Sequence, residues 1–155
     1  MADPDLAKTC PGPVRKTIVV RRGPEEAFDV FTRRFGSWWP YTQHSLGEEE
    51  AAACGFEPRL GGEVYETSRS GERSRWGSVR AWEPPHRFVL AWHPGRDPAE
   101  ATEVEVRFEP VAGGTRVTLE HRGWESLGAK GAESRESYEK GWVLVFETRY
   151  AAACA

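Results

Sequence analysis

The sequence predicts an α+β fold in which a curved antiparallel sheet of about six or seven strands wraps around one long C-terminal helix. Three observations lead to this prediction. Short helical stretches follow the first strand, a run of segments with alternating apolar and polar residues comes next, and the end of the chain has an apolar stripe at helical spacing. Because short turns join the successive strands, neighbouring strands should be antiparallel.

The chain is expected to form a single domain preceded by an irregular arm. Residues 1–13 contain three prolines and few apolar side chains, which is typical of irregular structure. Residues 14–155 are enough for one hydrophobic core, since 39% of all residues are apolar, and too few for two domains of ordinary size.

The first elements are a strand and a short helical region. Residues 14–22 have the pattern of a strand that stops at Gly23. Pro24, followed by two glutamates, is typical of a helix start, and three phenylalanines then recur at helical spacing. We expect this helix to break at Gly36. Residues 48–53 are ambiguous between helix and strand, and in all we expect two short helices after the first strand.

Six further segments are predicted as strands. The clearest is 102–109, where Val104, Val106 and Phe108 point inward and alternate with charged residues. The glycine pair at 113–114 then turns the chain into its partner strand. In chain order the predicted strands are 53–58, 63–68, 74–82, 87–92, 102–109 and 115–122.

The final helix is predicted over about residues 133–151. At about 100° per residue, one narrow arc of it contains Tyr138, Trp142, Val145 and Phe146. Arg135 and Arg149 project into the same arc, and a buried arginine must be paired or reach water. Either both arginines extend to solvent at the helix ends, or one of them marks the mouth of a cavity and orients a polar group of the ligand.

Composition excludes several classes of function. Lysine and arginine total 21 against 24 acidic residues, with the signs interspersed, so we expect no nucleic-acid-binding surface. Without an apolar run of about 18 residues, no membrane span is expected, and we predict a cytoplasmic protein. The three cysteines lack zinc or disulfide spacing, and His44, His86 and His93 fall in predicted loops. We therefore predict no metal and no cofactor.

The aromatic residues are the main candidates for a binding site. The chain contains seven tryptophans, whose large rings either fill a core or line a ligand site. Trp38 and Trp39 could plug one end of the sheet or gate an entrance, and His121 on an inward face is either a satisfied core histidine or a polar group of a cavity. No catalytic residue is predicted. The predicted ligand-binding residues are Trp38, Trp39, Trp76, Trp92, Phe108, His121, Tyr138, Trp142, Phe146 and Arg149.

Four stretches resemble a known family. They are VRKTIVVRRGPEEAFDVF at 14–31, the Trp-Trp-Pro triplet at 38–40, GSVRAWEPPHRFVLAW at 77–92, and YEKGW at 138–142 after HRGW at 121–124. The order of elements resembles the helix-grip fold of the START-like (SRPBCC) superfamily, and more narrowly small bacterial homologues of the activator of heat-shock protein 90 ATPase. Members often continue with a leucine-rich run, whereas residues 143–150 here are VLVFETRY.

This resemblance implies three different functions. The leading hypothesis is non-enzymatic binding of a small hydrophobic or aromatic molecule between the sheet and the last helix. A chaperone-associated interaction module is the second, and a cyclase- or hydrolase-type enzyme that uses the same cavity is the third. The sequence leaves a homodimer open.

Overall fold

The sheet contains seven antiparallel strands in the order β1-β7-β6-β5-β4-β3-β2. The structure is a computed structural model that describes residues 11–41 and 43–155. Most of the predicted arm lies outside the described residues, and residues 11–13 have no regular structure. The strands are β1 Val14–Val20, β2 Ala51–Phe56, β3 Glu63–Ser68, β4 Arg73–Glu83, β5 Arg87–Trp92, β6 Thr102–Val111 and β7 Gly114–Arg122.

Strands β2 to β7 form a meander, and β1 joins it by pairing with β7. Register shifts interrupt the pairings of β2 with β3, β3 with β4, and β4 with β5. Such irregularities bend a strand and increase its local twist, so this half of the sheet can curl over the interior. The α+β fold class predicted from the sequence is confirmed.

Two short helices follow β1, as predicted: α1 Pro24–Phe31 and α2 Phe35–Trp38. The break between them comes earlier than expected, at Thr32, whose buried hydroxyl donates to the Phe28 carbonyl at 2.8 Å. Gly36 lies inside α2 instead of ending a helix. A Cβ at Gly36 would lie 2.4 Å from the Cys54 carbonyl oxygen, so the glycine lets α2 approach β2 closely.

The C-terminal helix is continuous from residue 131 to residue 153, and 3₁₀ turns at Trp124–Lys130 lead into it. It consists of α3 Gly131–Trp142, a π-helical segment Val143–Tyr150, and the final turn α4 Ala151–Ala153. Within the described residues, no helix combines the length and apolar character needed to cross a membrane.

The π-helical segment explains why one predicted side chain faces away from the interior. A π-helix closes i→i+5 hydrogen bonds and therefore advances only about 80° per residue instead of about 100°. Trp142, Phe146 and Tyr150, which are four residues apart, share one buried side at either rotation, whereas residues seven apart do not. An α-helical projection places Arg149 on the same side, but in the structure Arg149 is exposed and its Nε donates to the Trp38 carbonyl at 3.3 Å.

One end of the interior is a solid aromatic core. Phe31 lies at its centre, with ring centroids 5.2 Å from Phe88 and 6.5 Å from both Phe108 and Phe146. The buried hydroxyl of Tyr150 donates to the Ala27 carbonyl at 2.7 Å and so ties the C-terminal helix to α1. A cavity between the sheet and the C-terminal helix lies toward the other end of the sheet.

Candidate functional site: a cavity lined by four tryptophans

A cavity of about 340 Å³ lies between the C-terminal helix, strands β4 and β5, and residues 43–47. We call it the indole cavity, and residues 43–47 the cavity loop. Four tryptophans line it: Trp39 after α2, Trp76 on β4, Trp92 on β5 and Trp142 on α3. The other lining residues are Gln43, His44, Ser45, Leu46, Pro94, Ser134, Ser137, Tyr138, Gly141 and Val145.

The four indole rings are in contact with one another. The Trp39 centroid lies 5.3 Å from that of Trp76 and 5.9 Å from those of Trp92 and Trp142. All four residues are at most 6% exposed. Ring pairs at such distances stabilise each other beyond simple burial, so the wall of the cavity is rigid.

Every indole N–H of the cavity donates to an acceptor within the protein. Trp39 Nε1 donates to the His44 carbonyl at 2.8 Å, and Trp76 Nε1 donates to a Glu66 carboxylate oxygen at 2.7 Å. The Nε1 atoms of Trp92 and Trp142 donate to Tyr138 Oη and His121 Nδ1, both at 3.1 Å. The rings thus present only their π faces and carbon edges to the cavity.

Tyr138 contributes a phenol hydroxyl to the lining. Its oxygen accepts the Trp92 hydrogen bond, and within the described residues no acceptor takes its own proton. Burial raises the pKa of the Tyr138 phenol, so the hydroxyl keeps its proton at neutral pH. Tyr138 can therefore donate a hydrogen bond to a molecule in the cavity.

His121 lies behind the cavity wall and fixes the orientation of Trp142. Because an indole N–H only donates, His121 Nδ1 accepts from it and Nε2 carries the hydrogen. That Nε2 donates to Thr102 Oγ1 at 2.7 Å, and the Thr102 hydroxyl donates to the Trp92 carbonyl at 3.2 Å. Burial, with a smaller contribution from the charge of Arg96, lowers the pKa of His121 to about 3, so the ring is neutral.

Glu66 on β3 joins the cavity wall to the cavity loop. The residue is 3% exposed, and its carboxylate accepts hydrogen bonds from Trp76 and from the backbone N–H groups of Leu46 and Gly47. Within the described part of the chain it forms no ion pair with an arginine, lysine or histidine. Sequence reasoning missed Glu66, although alternation along β3 places it on the same inward face as the buried Val64.

The structure brings five of the ten predicted binding residues to the cavity: Trp39, Trp76, Trp92, Tyr138 and Trp142. The other five lie elsewhere. Phe108 and Phe146 belong to the solid core, Trp38 packs against Phe31, Phe35 and Tyr150, His121 is behind the wall, and Arg149 is on the surface.

Arg135 does not line the cavity either. Its Nε donates to the Gly12 carbonyl at 2.8 Å and one Nη to the Pro13 carbonyl at 3.2 Å, so it ties α3 to the chain just before β1. The helix projection left the roles of Arg135 and Arg149 open. In the structure both side chains donate to backbone carbonyls, and neither lines the cavity.

Gly141 lies inside the C-terminal helix and faces the cavity. A Cβ at Gly141 would meet His44 Cε1 at 3.9 Å. That distance is ordinary van der Waals contact. The glycine therefore enlarges the cavity beside His44 instead of allowing close backbone packing. Within the described residues, no cluster of histidine, cysteine and acidic side chains could hold a metal ion.

Together, the fold and the site define a class of protein: a helix-grip domain whose sheet and C-terminal helix enclose a cavity of ligand size. Residues 22–149 match the family described as Activator of Hsp90 ATPase homolog 1-like protein. The chain belongs to this family, and its fold is that of the START-like superfamily, as the sequence resemblance implied. No curated protein is significantly similar to this chain in sequence.

The similar solved structures include one protein with higher sequence identity to this chain and several that share the fold at lower identity. An anthrahydroquino-γ-pyrone synthase, solved in complex with a compound abbreviated SUM, is 34% identical, with 94% of this chain and 98% of that chain covered and a TM-score of 0.63. A protein from Mesorhizobium loti is 21% identical over 91% of this chain and 95% of that chain, with a TM-score of 0.64. One from Bacillus halodurans is 18% identical over 95% and 99%, with a TM-score of 0.66.

Proposed function

We propose that the protein binds a small planar aromatic molecule with an oxygen acceptor in the indole cavity. The observation that supports this most directly is that all four indole N–H groups already have acceptors within the protein. The walls can therefore stack against rings but cannot donate from an indole. The Tyr138 hydroxyl is left as the inner donor, and it suits a carbonyl or phenol oxygen of the ligand.

Size and polarity support the same class of ligand. A cavity of about 340 Å³ lies at the lower end of the range of roughly 300–1,000 Å³ that is usual for small-molecule sites. Polar side chains occur on the loop and helix that border the cavity, namely Gln43, Ser45, Ser134 and Ser137. These groups favour a ligand with further hydroxyl or carbonyl substituents.

Equilibrium binding of 1,8-dihydroxyanthraquinone, with dodecanoate as the aliphatic comparison, tests the proposal. We expect the aromatic probe to bind and to quench tryptophan fluorescence, and dodecanoate to bind at least about tenfold more weakly. Gly141→Leu, which places a side chain in the cavity, should weaken aromatic binding by a similar factor. Val143→Leu, at an exposed position on the same helix, is the matched control.

Two results would contradict the proposal. One is that wild-type protein does not bind the aromatic probe at its solubility limit. The other is equal affinity of Gly141→Leu and wild type, which would place binding outside the cavity.

A second candidate function is catalysis of ring closure on such a molecule. The supporting observation is the 34% identity to a γ-pyrone synthase over nearly the whole of both chains. Tyr138 would donate a hydrogen bond to a carbonyl oxygen that gains negative charge during reaction. Mass spectrometry of an aryl 1,3-diketone that carries an ortho phenol would show loss of one water if the protein catalyses pyrone formation. Tyr138→Phe should then slow that loss without abolishing binding.

The chaperone-associated hypothesis has less support. It requires a large exposed apolar or charged patch. The exposed large apolar residues of the described chain are single residues on four separate segments: Val19, Leu46, Leu60 and Val143.

A further inference from the structure

Glu66 has a buried carboxylate that accepts three hydrogen bonds, one from the wall of the indole cavity and two from the cavity loop. We propose that it is a positioning residue: it holds the cavity loop against the cavity wall and thereby sets how fast a ligand enters and leaves. This inference rests on the proposed function, because it assigns a role in access to that same cavity. It is independent of which aromatic molecule the cavity accepts.

The two carboxylate oxygens bind both the cavity wall and the cavity loop. Oε1 accepts from Trp76 Nε1 at 2.7 Å and from the Leu46 N–H at 2.6 Å, while Oε2 accepts from the Gly47 N–H at 2.9 Å. Trp76 and Leu46 both line the cavity. One side chain on β3 therefore fixes the distance between a rigid wall and the loop that faces it.

An ionised carboxylate suits this arrangement better than any neutral side chain. It has only acceptor sites, and hydrogen bonds to a charged acceptor are stronger than those between neutral groups. Three N–H donors also compensate for burial of the charge in a place where no described cation pairs with it. A glutamine at position 66 would turn its NH₂ group either toward the Gly47 N–H or toward both the Trp76 and Leu46 N–H groups, so at least one loop contact would be lost.

The two ends of the cavity loop are held differently. At the N-terminal end, the His44 N–H donates to the Pro40 carbonyl at 2.8 Å, and the His44 carbonyl accepts from Trp39 Nε1. At the C-terminal end, the Leu46 and Gly47 amides donate to Glu66. Loss of the carboxylate should therefore release Leu46 and Gly47 while His44 stays in place, which widens the cavity without unfolding the domain.

The side chain of Leu46 shows what this release would change. Leu46 is 48% exposed, and its Cδ2 lies 3.0 Å from the place where a Cβ of Gly95 would be. The leucine thus spans from the cavity loop to the loop after β5. If Leu46 moves, this span opens, and small molecules gain a path to the tryptophans.

The test compares Glu66→Gln with Glu63→Gln, which removes a half-buried carboxylate from the opposite face of the same strand. For Glu66→Gln we expect the association and dissociation rates of 1,8-dihydroxyanthraquinone each to rise about five- to tenfold, with a much smaller change in Kd. Acrylamide should quench tryptophan fluorescence more strongly, and the Leu46 and Gly47 amides should exchange faster. Glu63→Gln should match wild type in all three measurements.

Several outcomes separate this inference from the proposed function. Unchanged rates, quenching and amide exchange in Glu66→Gln would overturn the positioning role, as would a weaker Kd with an unchanged association rate. If wild type does not bind the probe, the proposed function fails, whereas quenching and exchange still decide whether Glu66 controls access. If Glu66→Gln does not fold, amide exchange of wild type decides: unprotected Leu46 and Gly47 amides would overturn the inference.

Discussion

Replacing the buried histidine behind the cavity with a side chain that does not titrate should remove a defined part of the acid sensitivity of the fold. His121 is fully buried, and its pKa is lowered to about 3 in the folded protein from an ordinary value of 6.5. As pH falls below 6.5, the unfolded chain takes up a proton on this ring and the folded protein does not. The stability is therefore complete above that pH and is lost progressively as pH falls toward 3.

The size of this loss in the free energy of unfolding follows from the uptake of one proton by the unfolded chain. Each pH unit below the unfolded pKa costs about 1.4 kcal/mol per proton, so His121 alone should remove about 3 kcal/mol from the free energy of unfolding between pH 7 and pH 4.5. This window lies above the range in which Glu57 and Glu105 contribute. A backbone hydrogen bond from Glu63 lowers the pKa of Glu57, and for Glu105 the raising effect of burial is outweighed by Arg87 and Arg122, which lower its pKa. The buried His93 acts in the same direction as His121, because burial lowers its pKa too.

The assay is urea unfolding at several pH values for wild type and His121→Gln. The variant should be less stable at pH 7, because the ring packs 4.2 Å from Trp124 and 4.5 Å from Tyr138. Its stability should nevertheless fall less steeply than that of wild type between pH 6.5 and 4.5, by about 1.4 kcal/mol per pH unit. His86→Gln, at an exposed position, should keep the wild-type slope. Parallel curves for wild type and His121→Gln would refute the reasoning.

Two further pairs of substitutions test the helix and the outer face of the sheet. Gly141→Ala should raise the free energy of unfolding by up to about 1 kcal/mol in urea titrations, since alanine favours helix and its Cβ has room, whereas Gly128→Ala at φ +57° should lower it by about 1 kcal/mol. Destabilisation by Gly141→Ala would contradict the open space found there. Glu105→Gln should cost about 2–3 kcal/mol, because this 5% exposed carboxylate contacts three arginines, while the exposed Glu109→Gln should change stability by less than about 0.5 kcal/mol. Equal effects of the two glutamate variants would show that the arginine cluster does not stabilise the fold.

Local patterns predicted most of the sheet. The strand at 102–109 was evident because alternation of side chains is a property of the strand itself, and it extends to Val111 in the structure. The strand predicted at 53–58 runs instead from Ala51 to Phe56. Its alanines and the preceding glutamates favour helix locally, and only pairing with β3, where Ala51 lies opposite Ser68, decides the conformation.

The site was harder to predict because inward-facing residues look alike in sequence. Phe108 on β6 and Trp92 on β5 both point into the interior, but one lies in the solid core and the other at the cavity. The spacing of apolar residues indicates which face of a strand or helix is buried. It does not indicate which end of the interior a buried side chain occupies. The polar partners were missed as well. Alternation with Val64 places Glu66 on the inward face, but its contacts with Leu46 and Gly47 join separate segments, and His44 lies in a loop without periodicity.

The hydrogen bonds of the four indoles have a consequence for how this cavity could change during evolution. Replacing Trp76 or Trp142 would strip a donor from Glu66 or His121 and destabilise the fold, whatever the effect on the ligand. By contrast, Val145, Gly141, Leu46 and Pro94 line the cavity with no polar side-chain atom. Divergence in ligand preference among relatives should therefore concentrate at these four positions, with the tryptophan frame retained.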